Sequence, residues 1–174
     1  MNIFTKPVLG FAAWSGTGKT TLLVKLLPLL KQRGIRVAMI KHAHHDFDID
    51  RPGKDSYELR KAGADQVLIA SSRRRALITE TPADVDPDLR ELVASLDLDN
   101  TDLVLVEGFR HVAFPKIELH RPSTGKALLY PHDRSIIAVA SDRPVDSGGL
   151  PLLDINRPSE IIEFIECWMN TAAA

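Results

Sequence analysis

Apolar residues fall in short runs, separated by longer stretches with helical spacing, and that alternation sets the plan of the chain. Residues 8–13 (VLGFAA) make an apolar run of strand length. From Lys19 to Arg33, Leu22, Leu23, Leu26, Leu27, Leu29 and Leu30 form the broad apolar face of a helix that Gly34 should stop. Pro28 inside it predicts a kink, because its ring removes one backbone hydrogen bond. A second apolar strand is expected at 36–40 (RVAMI), then a polar stretch without periodicity over 41–55, then a short helix over 55–62 closed by Gly63. Strands follow at 66–70 (QVLIA) and 76–79 (ALIT). Asp86 and Pro87 read as N-cap and first helical position of a helix reaching about Leu96. Residues 103–106 (LVLV) and 136–140 (IIAVA) are apolar throughout. Between them, 116–120 and 127–130 alternate weakly around Ser123-Thr124-Gly125, the pattern of a hairpin. A last strand is expected near 151–155. An amphipathic helix then opens at Asn156 to Ser159 and carries Ile161, Ile162, Phe164, Ile165 and Trp168.

Strands that alternate with helices, several of them apolar on both faces, predict an α/β fold: a mostly parallel twisted sheet with helices on both faces. A single domain over 1–174 is expected from the length. The hairpin does not suit a parallel plan. It is expected as an appended β-hairpin, an insertion over 111–134 that lies at a dimer contact, since another chain would cover its open edges. Composition changes this picture little. The chain is 44% hydrophobic and 26% charged, enough to build a core, and its net charge of -1 gives no basic field for nucleic acid. One cysteine, Cys167, excludes a disulfide framework. No apolar run is long enough for a membrane span, and MNIFTKPVLGF lacks the features of a secretion signal, so a cytoplasmic location is expected.

Chemistry enters at AAWSGTGKTT, residues 12–21, where an apolar strand meets a glycine-rich turn and a helix start. Glycines let consecutive backbone N–H groups turn toward a phosphate, and the new helix adds its positive end. Ser15, Gly16, Thr17, Gly18, Lys19, Thr20 and Thr21 are therefore candidate phosphate-binding residues, with Lys19 reaching the β- and γ-phosphates and the Thr20 hydroxyl placed for Mg²⁺. The usual first glycine of the pattern is Ala13 here. Glu107 ends the strand of DLVLVEGF and is the candidate carboxylate on the metal side, with Gly108 permitting close approach. Lys19 and Glu107 are the candidate catalytic pair. The stretch 41–56 (KHAHHDFDIDRPGKDS) offers Asp46 and Asp48 to Mg²⁺; His42, His44, His45 and Asp46 also form a set with transition-metal ligand chemistry, or a merely polar loop. Lys54-Asp55 reads as a helix start with Asp55 as cap. Arg73 to Arg75 form either a solvated turn or an anion site for a second ligand. After strand 136–140, Asp142 or Asp146 can accept both N–H groups on the Watson–Crick edge of guanine; the Asn-Lys-x-Asp signature for that base is absent.

SGTGKTTL, the block KHAHHDFDID…GKDSYELRKAGA and VEGFR together resemble the molybdopterin-guanine dinucleotide biosynthesis protein B family, over nearly the whole chain. Gly53-Lys54-Asp55-Ser56, Ala62-Gly63-Ala64 and Glu107-Gly108 carry the specific part of the likeness, and Ala13 departs from it. The resemblance implies a P-loop NTPase domain that binds GTP and Mg²⁺, hydrolyses GTP weakly and forms a homodimer. It implies a role as adaptor to a molybdenum cofactor guanylyltransferase, which joins GMP to molybdopterin, with molybdopterin as a further ligand. Two other functions compete: a P-loop kinase or ligase acting on a small acceptor, as in the similar dethiobiotin synthetases, and a GTP-dependent metallochaperone, as in the nickel-insertion GTPases.

Overall fold

The computed structural model describes residues 4–43, 48–81 and 85–172. They fall into two compact units, 1–42 with 88–174, and 43–87, where the length alone suggested one undivided domain.

The larger unit is built on six parallel strands: β1 (Val8–Ala13), β2 (Val37–Lys41), β5 (Leu103–Glu107), β6 (Lys116–His120), β7 (Ile136–Ser141) and β8 (Leu152–Asp154), in the order β2-β5-β1-β6-β7-β8. Side chains alternate between the two faces, and each face has its own core. On one, Leu9, Phe11, Leu105 and Ile117 pack against Leu22, Leu26 and Leu30 of α1 (Lys19–Gln32) and Ile161 and Ile165 of α4 (Pro158–Ala172). On the other, Val8, Val104, Val106 and Phe114 pack against Leu89 and Val93 of α3 (Leu89–Ala94). Helices thus cover both faces, as the apolar strands require. Gly10 has a packing reason: a Cβ there would stand 2.7 Å from the Phe114 ring.

Helix α1 runs through Pro28. That residue sits on the exposed side, so water can reach the Val24 carbonyl that the ring leaves without a partner. Helix α3 begins two residues later than Asp86 and Pro87 suggest: its cap is Asp88, whose carboxylate accepts from Arg90 N–H at 2.6 Å, and its first residue, Leu89, is the one that must be buried.

The strand β6 overturns the hairpin expected over 116–130 and the insertion of 111–134. Lys116–His120 pairs in parallel with β1 on one side and β7 on the other, so it lies inside the sheet. Residues 127–130 form no strand; single 3-10 turns stand at Pro122–Thr124 and Tyr130–His132 instead. The segment crosses back over the sheet and is fixed to β6 by charge. Glu118 accepts from the N–H groups of Leu129 and Tyr130 at 2.7 and 2.9 Å. Lys116 donates to Asp133 and Ser135, both at 2.9 Å. The dimer contact assigned to this segment loses its premise, because β6 has no open edge to cover.

The hairpin of the fold lies in the smaller unit. There β3 (Gln66–Ala70) and β4 (Arg75–Thr79) pair antiparallel, preceded by α2 (Asp55–Lys61). None of the described residues of 43–87 is fully buried. Arg60 joins Glu80 at 2.8 Å and also pairs with Asp48.

Candidate functional site

Parallel strands bring the loops that follow them to one edge, and ligands bind where the chain leaves neighbouring strands in opposite directions. That place is β1: its chain leaves toward β2, beyond β5, while β6, β7 and β8 extend the sheet the other way. The loop of residues 14–18 emerges there. Gly16 (φ 83°) and Gly18 (φ 93°) hold left-handed conformations that only glycine adopts without strain. Between them Thr17 is buried, and both its hydroxyl and its N–H donate to the Trp14 carbonyl, at 2.8 and 3.3 Å, closing the loop on itself. Ala13 keeps a negative φ, so alanine in place of the usual first glycine brings no backbone strain to the loop. Helix α1 starts at Lys19 with no acidic residue in its first turn, so its positive end is unopposed.

Strand register supplies the acid. Glu107 lies opposite Phe11 of β1 and Lys41 of β2, and its Oε1 is 3.6 Å from Lys19 Nζ, with both side chains mostly shielded. The turn behind it is tightly built. A Cβ on Gly108 (φ 99°) would stand 2.6 Å from the His42 Cβ. Phe109 is buried at φ 52° and stacks on the His42 ring, centroids 4.6 Å apart; the His42 N–H donates to the Glu107 carbonyl at 2.8 Å. His42 thus supports the turn that carries Glu107. The Thr20 hydroxyl and the Glu107 carboxylate give two oxygen donors beside the loop, which suits Mg²⁺, an ion that takes one or two protein oxygens and fills its octahedron with water and phosphate.

Ser15, Gly16, Thr17, Gly18, Lys19, Thr20 and Thr21 are therefore together on the loop and the first turn of α1, with Glu107 beside them. Asp46, with His44 and His45, lies outside the described residues. Among the described residues no group of three His, Cys, Asp or Glu side chains could hold a metal ion. Asp48, the other candidate for Mg²⁺, pairs with Arg60. Asp55 is the first residue of α2 and not its cap; Lys54 holds the cap position, and no side chain caps it. Arg73 and Arg74 occupy the turn of the β3–β4 hairpin, where Ser71 Oγ accepts from both their N–H groups, and their side chains, like that of Arg75, face solvent.

Asp142 has a different setting from the one expected of a base reader. Its Oδ2 accepts from Arg121 Nη1 at 2.7 Å, and its Oδ1 is buried without a hydrogen bond among the described residues. The same guanidinium donates from Nε to the Thr17 carbonyl at 3.0 Å. Beside it a depression opens between Gly18, Thr21, Lys25, Arg121, Ile155 and Asn156, on the side of the loop away from β5. Arg121 was hidden in the sequence by the hairpin reading of 116–130. Read as a strand end, it would have stood out as a cation at the carboxyl edge. Trp14 also went unnoticed; its Nε1 donates to the Ala127 carbonyl at 2.8 Å, and Arg110 and Lys126 lie over its ring.

The sheet order, the glycine loop and the Lys19–Glu107 pair define the P-loop NTPase fold. The particular lineage comes from comparison with known proteins. The family model of molybdopterin guanine dinucleotide synthesis protein B (MobB) matches residues 8–142, and the chain belongs to that family. It is 54% identical over 167 residues to the molybdopterin-guanine dinucleotide biosynthesis adapter protein of Escherichia coli K12, covering 94% of each chain. It is 47% identical to the protein of that name from Haemophilus influenzae, covering 94% of this chain and 90% of that one. Among solved structures, a crystal structure of molybdopterin-guanine biosynthesis protein B superposes with a TM-score of 0.74 at 30% identity, covering 94% of this chain and 99% of that one. Bacillus subtilis MobB, at 23% identity and a TM-score of 0.73, has the same fold.

Proposed function

We propose that the chain binds GTP and Mg²⁺ at the 14–21 loop and acts as an adaptor in molybdopterin guanine dinucleotide synthesis, assisting the guanylyltransferase that joins GMP to molybdopterin. The observation that carries this is the Lys19–Glu107 pair at the head of a glycine loop, in a chain 54% identical to a protein named as an adapter of that pathway. The N–H groups from Ser15 to Gly18 cradle the phosphates, and Lys19 neutralises the β- and γ-phosphates. Thr21 lies at the α-phosphate end. Mg²⁺ held by Thr20 and Glu107 would offset the charge of the terminal phosphates.

Hydrolysis is slow in this reading. Rapid transfer to water needs a residue that orients the water and a cation on the developing charge. After Glu107-Gly108 come Phe109, buried against His42, and Arg110, whose guanidinium lies over the Trp14 ring at the start of the loop; neither is an amide that could orient a water. Turnover by the protein alone therefore falls below the roughly 1–100 s⁻¹ of kinases. The chain works as a homodimer, with the β3–β4 hairpin as the contact. Its Leu68 and Leu77 face each other across the strands at 62% and 58% exposure, and an open two-stranded edge can pair with its own copy about a two-fold axis.

Calorimetric titration with GTP, GDP and ATP, each with Mg²⁺ and with chelator, tests the reading. GTP should bind more tightly than ATP and more tightly with Mg²⁺, and the GTP-loaded protein should be retained by an immobilised guanylyltransferase. Absence of nucleotide binding, or turnover above about 1 s⁻¹ for the protein alone, contradicts it.

A further inference from the structure

Gly16 and Gly18 give the loop its shape and also leave it loose. Glycine has little torsional preference, so the peptide between Thr17 and Gly18 can rotate at small cost. In a trans peptide the carbonyl and the following N–H point in opposite directions. Whatever holds the Thr17 carbonyl therefore decides where the Gly18 N–H points. Thr17 itself is tied to Trp14 only through its own N–H and hydroxyl. Its carbonyl is held from outside the loop, by Arg121 Nε at 3.0 Å.

We propose that Arg121, clamped by Asp142, is a positioning residue that presets the phosphate loop: by holding the Thr17 carbonyl it turns the Gly18 N–H toward the bound phosphate. The sheet register builds the device. His120 of β6 lies opposite Ser141 of β7, and Leu119 opposite Ala13 of β1, so the next residues along, Arg121 and Asp142, leave neighbouring strands side by side next to the loop. A guanidinium suits the task because its donors form a rigid fork. Nε faces the loop while Nη1 takes Asp142 Oδ2 at 2.7 Å. A lysine has one donor centre and cannot span both. The acid has a reciprocal need. Its Oδ1 is buried without a hydrogen bond among the described residues, so Arg121 supplies the compensation for its charge. This gives Asp142 a role through Arg121 and not through a base edge.

The proposal rests on the reading of the loop as a phosphate cradle, and one set of titrations separates the two. The probes are GTP and inorganic tripolyphosphate, on the full chain and on Arg121→Ala, Arg121→Lys, Asp142→Asn and the Arg121→Ala/Asp142→Asn double variant, each checked by circular dichroism. Arg121→Ala should weaken both probes by the same factor, about 10- to 100-fold, the worth of a charge-assisted hydrogen bond. Arg121→Lys should not restore binding. Asp142→Asn should weaken both probes equally and by less, and the double variant should bind no more weakly than Arg121→Ala alone. Loss of GTP affinity with tripolyphosphate unchanged would place Arg121 on the nucleoside and overturn the proposal. So would losses that multiply independently in the double variant. Should Arg121→Ala fail to fold, Asp142→Asn decides by the same comparison of probes. A wild-type chain that binds neither probe overturns the cradle and the brace together, whereas a wild type that binds both, with Arg121→Ala unchanged, overturns the brace alone.

Discussion

Two five-residue strands received opposite treatment from what their composition suggests. QVLIA, β3, is the more apolar, and Leu68 at its centre is 62% exposed. KIELH, β6, carries three ionisable residues, and every one of its residues is buried, Lys116 at 1% and Glu118 at 0% exposure. The apolar strand has one partner, β4, in a unit whose described residues include none that is fully buried. The charged strand has β1 and β7 on either side and a returning chain over its polar face. Position in the sheet, not hydropathy, decided burial. The charge is tolerable because its partners are built in: two backbone N–H groups for Glu118, and Asp133, Ser135 and the Arg110 carbonyl for Lys116.

Breaking the buried pair tests this comparison hardest. Lys116→Met keeps the volume and leaves Asp133 without its cation, though still partly exposed and accepting from the Ser135 N–H and hydroxyl, so the cost should lie at or near the lower end of the range for a broken buried pair, about 3 kcal/mol. Thermal unfolding should then fall by about 6–12 °C. A loss within about 1 °C would mean that the pair does not hold the returning segment in place.

Glu118→Gln is the milder version. The amide still accepts one N–H but turns its own NH₂ toward the other donor, at a cost of about 1–3 kcal/mol. Its pH dependence carries a sign. Burial pushes the Glu118 carboxyl above the ordinary range, although the Leu129 and Tyr130 N–H groups pull the other way. A folded-state pKa above the unfolded value gives stability that is present at low pH and lost as pH rises through the folded value. The advantage of the wild type over Glu118→Gln should therefore grow as pH falls from neutrality toward about 4. A shrinking advantage over that range would show that burial is not the dominant influence.

The exposed strand should show the smallest effect. Leu68→Ser with Leu77→Ser should change the stability of dilute protein by no more than about 0.5 kcal/mol, as for surface positions generally. At high concentration light scattering should then find a monomer where the wild type is a dimer. A large loss in dilute solution would mean that the pair is covered within the chain, and a dimer that survives would move the contact elsewhere.

Most of the sheet was legible because its signals are local. VLGFAA, LVLV and IIAVA cannot face water, and glycines at 16 and 18 followed by Lys19 have few other uses. Glu107 was legible for the same reason, as an acid ending an apolar strand. What stayed hidden depends on pairing between distant segments. Lys116, Glu118 and His120 look solvated until residues 129–135 supply their partners, so 116–120 read as the arm of a hairpin. Arg121 then read as a turn residue. Its meaning appears only when β6 stands between β1 and β7, which sets it against Thr17, 104 residues earlier, and Asp142, 21 later.

The central claim is that the 14–21 loop holds the phosphates of GTP, and titrating GTP into Lys19→Ala tests it most directly. Lys19 is partly exposed and ends no packing contact of the core, so circular dichroism and thermal unfolding should stay close to wild type. GTP affinity in the presence of Mg²⁺ should fall by at least about 10-fold, the loss expected when a charge-assisted contact to phosphate is removed. Undiminished GTP affinity in a folded Lys19→Ala would contradict the claim.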